Sequence, residues 1–348
     1  APVPRRMTSE SISRRSASLT ITVSSSRRMR WSSVGVGAGA AGGRLDIALE
    51  TPIYLRSDAS NDVRVPREIV IGQDAGPSLL PGSLQAGEAA PALQYGRARL
   101  GADQLMSGGF DNLSVLSNGL LSFDGNVDLH MNQSLSLYAG ALSLADSSQS
   151  NARINLSAPY VRLSGTGKYS EAPGDIRPRV MNNPTTEVAP AHFTATADLL
   201  DLGNSLSFGT AGAIVQLGGP ALEVGRRGFE QVTLDSRGDL RFLAPTGNVE
   251  KTELWTPGDL NLRAAQIYPA SDVTAEVRVG YQSVQRDANP ERTLRISSSG
   301  AAPAALPYSV FGNLTLAAAH IEQGGVIRAP LGMINLGDNL VLNTRTLQ

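Results

Sequence analysis

The chain contains no cysteine, which excludes disulfides, thiolate metal sites and cysteine nucleophiles. Lys168 and Lys251 are its only lysines; every other basic side chain is arginine. That usage weighs against a lysine-rich cleft for acidic sugars, although arginine can serve there too. Three histidines, His130, His192 and His320, lie far apart with no second ligand at metal spacing. They are read as surface or corner residues, and no metal or cofactor is expected. Aromatics make up 5% of the chain, so Leu, Val, Ile and Ala are expected to build the core. Lys plus Arg total 30 against 31 Asp plus Glu, so no nucleic-acid partner is expected. No run approaches the ~18 apolar residues of a membrane-spanning helix.

Enzyme signatures are missing as well. There is no Gly-x-Ser-x-Gly elbow, no Gly-x-x-x-x-Gly-Lys-Ser/Thr phosphate loop, no EF-hand loop and no calcium-binding glycine–aspartate nonapeptide. Asp198 and Asp201 invite a glycosidase reading, because such enzymes work with paired carboxylates. At i and i+3 on a strand, however, they face opposite sides, so they are expected to flank a strand end. The chain is not expected to be an enzyme.

What is present is an apolar fraction of 41% over 348 residues, enough for a core. At about 100–200 residues per domain, that length means two or three domains or one elongated solenoid. Residues 1–43 form a separate stretch. Arg5, Arg6, Arg14, Arg15, Arg27, Arg28 and Arg30 stand against a single early acid, Glu10, among many serines. This composition predicts a disordered basic extension. No apolar stretch of the secretory type follows the charges.

From about residue 44 to 348 the texture is short apolar alternation, as in Leu113/Val115, Leu121/Phe123, Val127/Leu129, Leu135/Leu137, Ile154/Leu156 and Val161/Leu163. Cut by Gly, Asn, Asp and Ser, these runs read as strands. Internal repeats accompany them. Gly109–Phe123 aligns with Gly228–Phe242 at six identical positions of fifteen. A unit x-Leu-x-Leu-x-Ala-x-x-Leu/Ile occurs at 134–142, 259–267 and 313–321, and a looser pair at 158–163 and 329–334. Units this small cannot bury their own apolar edge, but stacked copies can. The expected fold is therefore all-β, a right-handed parallel β-helix with loop insertions. Coils of about 21 residues would give about 12–14 rungs less insertions. Proline-punctuated stretches predict a long inserted loop at about 166–192 and shorter ones at 285–293 and 73–95. The alternative is an antiparallel sandwich or meander, because Asn118-Gly119 and Asp124-Gly125 are hairpin dipeptides.

Leu-x-Leu-x-Ala-x-x-Ile followed by Gln323-Gly-Gly-Val-Ile-Arg-Ala-Pro-Leu-Gly332, with Gly-Asn-Leu-Thr-Leu at 312–316 and Gly-Asp-Leu-Asn-Leu at 258–262, resembles the filamentous haemagglutinin-type exoproteins. The resemblance runs from about residue 44 to 348 and is strongest at 312–337. It implies a segment of a large β-helical adhesin exported by two-partner secretion through an outer-membrane barrel. The implied place is secreted or on the bacterial cell surface, with a host-cell receptor or glycan as partner. It also implies a candidate binding tripeptide, Arg237-Gly238-Asp239, since some adhesins of that family use this motif on integrins. Against this, Gly238 aligns with Gly119, so it fills a turn position that the repeat needs anyway. Four glycosylation-type sequons, at Asn112, Asn132, Asn155 and Asn313, are read as ordinary strand and turn residues. The strand pattern continues through Leu340 and Leu342 with no polar cap, which predicts self-association through uncapped solenoid ends. The alternative function is a β-helical polysaccharide-active enzyme, a lyase or glycoside hydrolase, which would need acids on neighbouring rungs of one face.

Overall fold

The computed structural model describes residues 42–49, 68–76, 97–165, 187–214, 222–246, 250–280, 289, 291–303 and 309–337. The predicted extension lies outside these residues apart from its last two positions. The chain enters through β1 (Gly43–Leu49), β2 (Glu68–Gly72) and β3 (Arg97–Gly101), then forms a short helix, α1 (Ala102–Ser107). Next come β4 (Phe110–Asp124), β5 (Val127–His130), β6 (Ser134–Leu144), β7 (Arg153–Ser157), β8 (Tyr160–Ser164) and β9 (Val188–Ala197). These are followed by β10 (Leu199–Gly203), β11 (Ser205–Phe208), β12 (Thr210–Ile214), β13 (Leu222–Arg226), β14 (Gly228–Ser236) and β15 (Asp239–Phe242). The chain continues through β16 (Thr252–Thr256), β17 (Asp259–Ala264), β18 (Gln266–Pro269), β19 (Thr274–Val279) and β20 (Thr293–Ser298). It closes the described part with β21 (Asn313–Ala317), β22 (His320–Gln323) and β23 (Met333–Leu336).

Every ladder is parallel except the β12–β13 hairpin. The strands wind into a parallel β-solenoid with three faces. The first face stacks β1, the front of β4, the front of β6, β8, β10, β15 and β18. The second stacks β3, β2, the back of β4, the back of β6, β11, β16, β19, β21 and β23. The third is a seven-stranded sheet of β5, β7, β9, β14, β17, β20 and β22. Because β4 and β6 run through the corner, the first two faces join into one 14-stranded sheet.

Alternation explains the lumen. Leu113, Leu135, Val161, Leu200, Leu240 and Ile267 are successive partners on the first face, and all are buried. Val127, Ile154, Phe193, Val232, Leu260 and Leu294 do the same on the third. Each contributes one inward side chain per two residues, as a pleated strand requires.

The antiparallel alternative and two expectations, on the long insertion and on the lumen, need correction. Asn118-Gly119 does not turn a hairpin: β4 runs straight through it, with a register shift against β6 between Ser117 and Leu120. Asp124-Gly125 makes a corner between faces, with Gly125 at φ +75°, a conformation glycine adopts without strain. The insertion at about 166–192 ends earlier, because residues from Val188 onward belong to β9; 166–186 lie outside the described residues. Among the described residues the third face has seven strands, against an expectation of 12–14 rungs less insertions. Finally, the lumen is not purely aliphatic. Phe123, Phe193, Phe208, Phe229 and Phe242 are all fully buried, five of the seven phenylalanines.

The repeats also behave differently from expectation, since aligned copies do not stack on one another. The Leu-x-Leu-x-Ala units begin on the first face in β6, the third in β17 and the second in β21. Gly109–Phe123 crosses from first to second face, whereas Gly228–Phe242 crosses from third to first. The repeat is a strand–corner–strand grammar that serves at any corner.

The insertion after β8 leaves that coil with no described strand on the second face. The ladder closes over the gap, and β11 pairs directly with β6 through Ser207–Ala141 and Phe208–Leu142. Gly165 marks the exit, because a Cβ there would lie 1.9 Å from the Ser205 carbonyl oxygen. Asn204, at φ 53°, donates its amide to the Gly165 carbonyl and accepts from the Thr246 N–H, tying three coils together.

The two ends of the solenoid differ. At β5 the outer edge is covered by α1, whose Ala102 and Leu105 are buried. The Asp128 N–H donates to Gln73 Oε1 at 2.7 Å and the His130 N–H to Met106 Sδ at 3.3 Å, so side chains occupy edge donors. At the other end of the molecule, β23 leaves Met333, Ile334 and Leu336 exposed, and Leu331 beside it is 77% exposed. Residues 338–348 lie outside the described ones.

Candidate functional site

Arg237, Gly238 and Asp239 occupy the corner between β14 and β15. Strand alternation ends at Ser236, and the corner is tied to the preceding coil. The Arg237 and Gly238 N–H groups donate to the carbonyls of Ala197 and Asp198. A Cβ on Gly238 would sit 2.7 Å from the Asp198 carbonyl oxygen, so the position demands glycine whatever its neighbours do. The Arg237 side chain is 76% exposed and pairs with Asp198 at 2.8 Å. Asp239 accepts from Gln266 Nε2 at 2.9 Å and from the Tyr268 hydroxyl at 2.7 Å. The tripeptide is therefore on a turn, but both charged side chains already hold partners on neighbouring coils.

Asp239 belongs to a polar band on the outside of the first face. Asp201, Arg241 and Tyr268 are partners in successive strands. Asp201 is buried and accepts a forked pair of bonds from Arg241 at 2.7 and 2.8 Å, plus the Tyr160 hydroxyl at 2.8 Å. Asp198 is exposed at the corner between β9 and β10. The two aspartates thus lie in different settings, Asp201 within a strand rather than at its end, and each is bound by an arginine.

Burial, reinforced by the Asp201 charge, pushes the Tyr160 hydroxyl well above its ordinary range, and burial with the Asp239 bond does the same for Tyr268. Both phenols stay protonated as donors. A folded-state value above the unfolded one means that the folded form holds the proton longer. The stability this confers is complete below the ordinary tyrosine pKa of 10.0 and falls as the pH rises beyond it. The Tyr160→Phe/Tyr268→Phe double variant should therefore show a shallower loss of melting temperature between pH 9 and 11 than the parent (roughly the range just around an ordinary tyrosine pKa).

A second place on the surface is a cleft of about 340 Å³ on the third face, lined by Asn126, Gln149, Asn151, Arg153, Pro190 and His192. Parallel register builds it. Arg153 and His192 are partners in β7 and β9, and Asn126 immediately precedes Val127, the residue beside Ile154. Three successive coils thus present their outward side chains side by side, about 4.8 Å apart. The turn carrying Gln149 and Asn151 is pinned by Arg227, which donates to Ser150 Oγ at 2.9 Å and to the Ser148 carbonyl at 2.7 Å.

Sequence reasoning did not find this cleft. His192 was read as a surface residue, which it is, but its companions are 39 and 66 positions away, as the numbers 192, 153 and 126 show. The other histidines stand elsewhere: His130 Nδ1 meets Ser157 Oγ at 3.0 Å, and His320 is exposed on β22. Among the described residues no group of three or more His, Asp or Glu is placed to hold a metal ion. Comparisons with family models, curated proteins and solved structures found no match.

Proposed function

We propose that this chain is a segment of a secreted, cell-surface β-helical adhesin, acting as a stalk and binding surface rather than a catalyst. The observation that carries this reading is the state of the outer polar groups. The acids on adjoining coils of the first face, Asp201 and Asp239, are occupied by Arg241, Tyr160, Gln266 and Tyr268. Such a ladder stiffens a rod and leaves neither of these two carboxylates free to move a proton. The sequence resemblance to filamentous haemagglutinin-type exoproteins supports the same reading. It supplies the proposed place, the bacterial surface, and the proposed export partner, an outer-membrane transporter of the two-partner type. A host-cell receptor or glycan is the proposed ligand. Arg237, exposed on its corner, is a candidate contact, and the apolar β23 edge is a candidate for end-to-end self-association.

The test is attachment. A surface coated with the purified chain should retain host epithelial cells above an albumin-coated control. Retention no better than albumin, together with cleavage of an acidic polysaccharide by the chain in solution, would overturn the reading in favour of a polysaccharide-active enzyme.

A further inference from the structure

We propose that the Arg153–His192 cleft is a binding site for the carboxylate of an acidic sugar. The cleft lining contains a guanidinium, an imidazole and three side-chain amides, and no acid. Neither the Arg153 nor the His192 side chain makes a hydrogen bond or ion pair among the described residues. Asn126 is oriented by its own strand neighbour: its Oδ1 accepts the Arg153 N–H at 2.9 Å, which leaves its NH₂ to donate. Asp128, two positions along β5, is held by the Asn155 amide at 2.6 Å. The wall is therefore rich in donors and lacks a charge to answer the guanidinium, which calls for an acceptor-rich anion.

A planar guanidinium matches a carboxylate with two parallel bonds. A single cation on the lining suits one negative charge rather than a doubly charged phosphate. The volume exceeds what a lone carboxylate needs, and amides that both donate and accept suit ring hydroxyls. Pro190 offers a small apolar contact for a ring face. The register also points to a polymer. Gln231 follows His192 as the next partner on the third face, so the polar column extends along the solenoid axis. This site names a ligand class for the adhesive reading and rests on that reading only for its biological use.

Calorimetry and saturation-transfer NMR on the full chain, with a trimer of galacturonic acid as probe, test the site. The acidic trimer should bind, and a neutral maltotriose should bind at least about tenfold more weakly. Arg153→Ala should weaken the acidic trimer about tenfold, and Arg153→Lys should recover only part, because it restores charge without the fork. Arg295→Ala, on β20 and paired with Glu322, should bind as the parent does. Equal binding of acidic and neutral trimers, unchanged binding by Arg153→Ala, or equal binding of glucose 6-sulfate would each overturn the carboxylate assignment. Cell retention that persists while the acidic trimer fails to bind would sink this site and leave the adhesive reading intact. Trimer binding without cell retention would do the reverse.

Discussion

Replacing Phe193 with alanine should lower the unfolding free energy by about 3–5 kcal/mol, the range for truncating a fully buried ring. Phe193 stands at the middle of an aromatic cluster. Its ring centroid is 5.8 Å from Phe123, 5.0 Å from Phe208 and 5.5 Å from Phe229, all tilted contacts. Tilted rings at these separations add about 0.5–1.5 kcal/mol per pair beyond burial. The cluster sits where β11 closes on β6 past the coil that has no described strand on the second face. Larger side chains fill the lumen at that level. Urea denaturation followed by circular dichroism measures the loss. Phe193→Leu, which keeps more of the volume, should recover part of it. A loss below about 1 kcal/mol for the alanine variant would mean that the lumen collapses onto the gap, contrary to a rigidly stacked core.

Arg226→Ala should cost about as much, about 3–5 kcal/mol, by a different mechanism. Glu68 on β2 is fully buried, and Arg226 at the end of the β12–β13 hairpin reaches it with Nε at 3.0 Å and Nη2 at 3.1 Å. Ser122 also donates to Glu68, at 2.6 Å. The pair joins positions 158 apart in sequence, fastening the inserted hairpin to the first coils. Removing the guanidinium takes away the forked pair of charged bonds to a buried carboxylate, whose desolvation is then offset less completely. A double variant, Arg226→Ala/Glu68→Ala, should therefore be more stable than Arg226→Ala alone, and melting curves of the three proteins read this directly. If the double variant is less stable than the single, the carboxylate is not the source of the cost.

The pattern of legibility follows from these particulars. Leu113, Leu135 and Val161 were recognisable as inward residues because strand alternation is a local property with period two. The corner at Gly238 was recognisable because its aligned copy also carries glycine, and the close approach to Asp198 explains the need. Asn118-Gly119 kept an antiparallel alternative open because that dipeptide supplies flexibility to a bulge as readily as to a turn. The luminal phenylalanines were missed because composition gives their number and not their position.

By itself, then, the sequence determined the strand class and the places where alternation breaks, both of which depend on neighbours a few residues apart, and it favoured a parallel solenoid while leaving an antiparallel arrangement open. The tertiary structure alone decided which face each strand occupies and which coils touch. The same Leu-x-Leu-x-Ala unit satisfies the inward alternation and small corner at every face, so local chemistry cannot choose among them. Insertions of unequal length between β8 and β9, and between β11 and β14, then set which side chains become neighbours. That is why Asn126, Arg153 and His192 meet in one cleft, and why Arg226 finds Glu68: their contacts arise from long-range parallel pairing that no local spacing encodes.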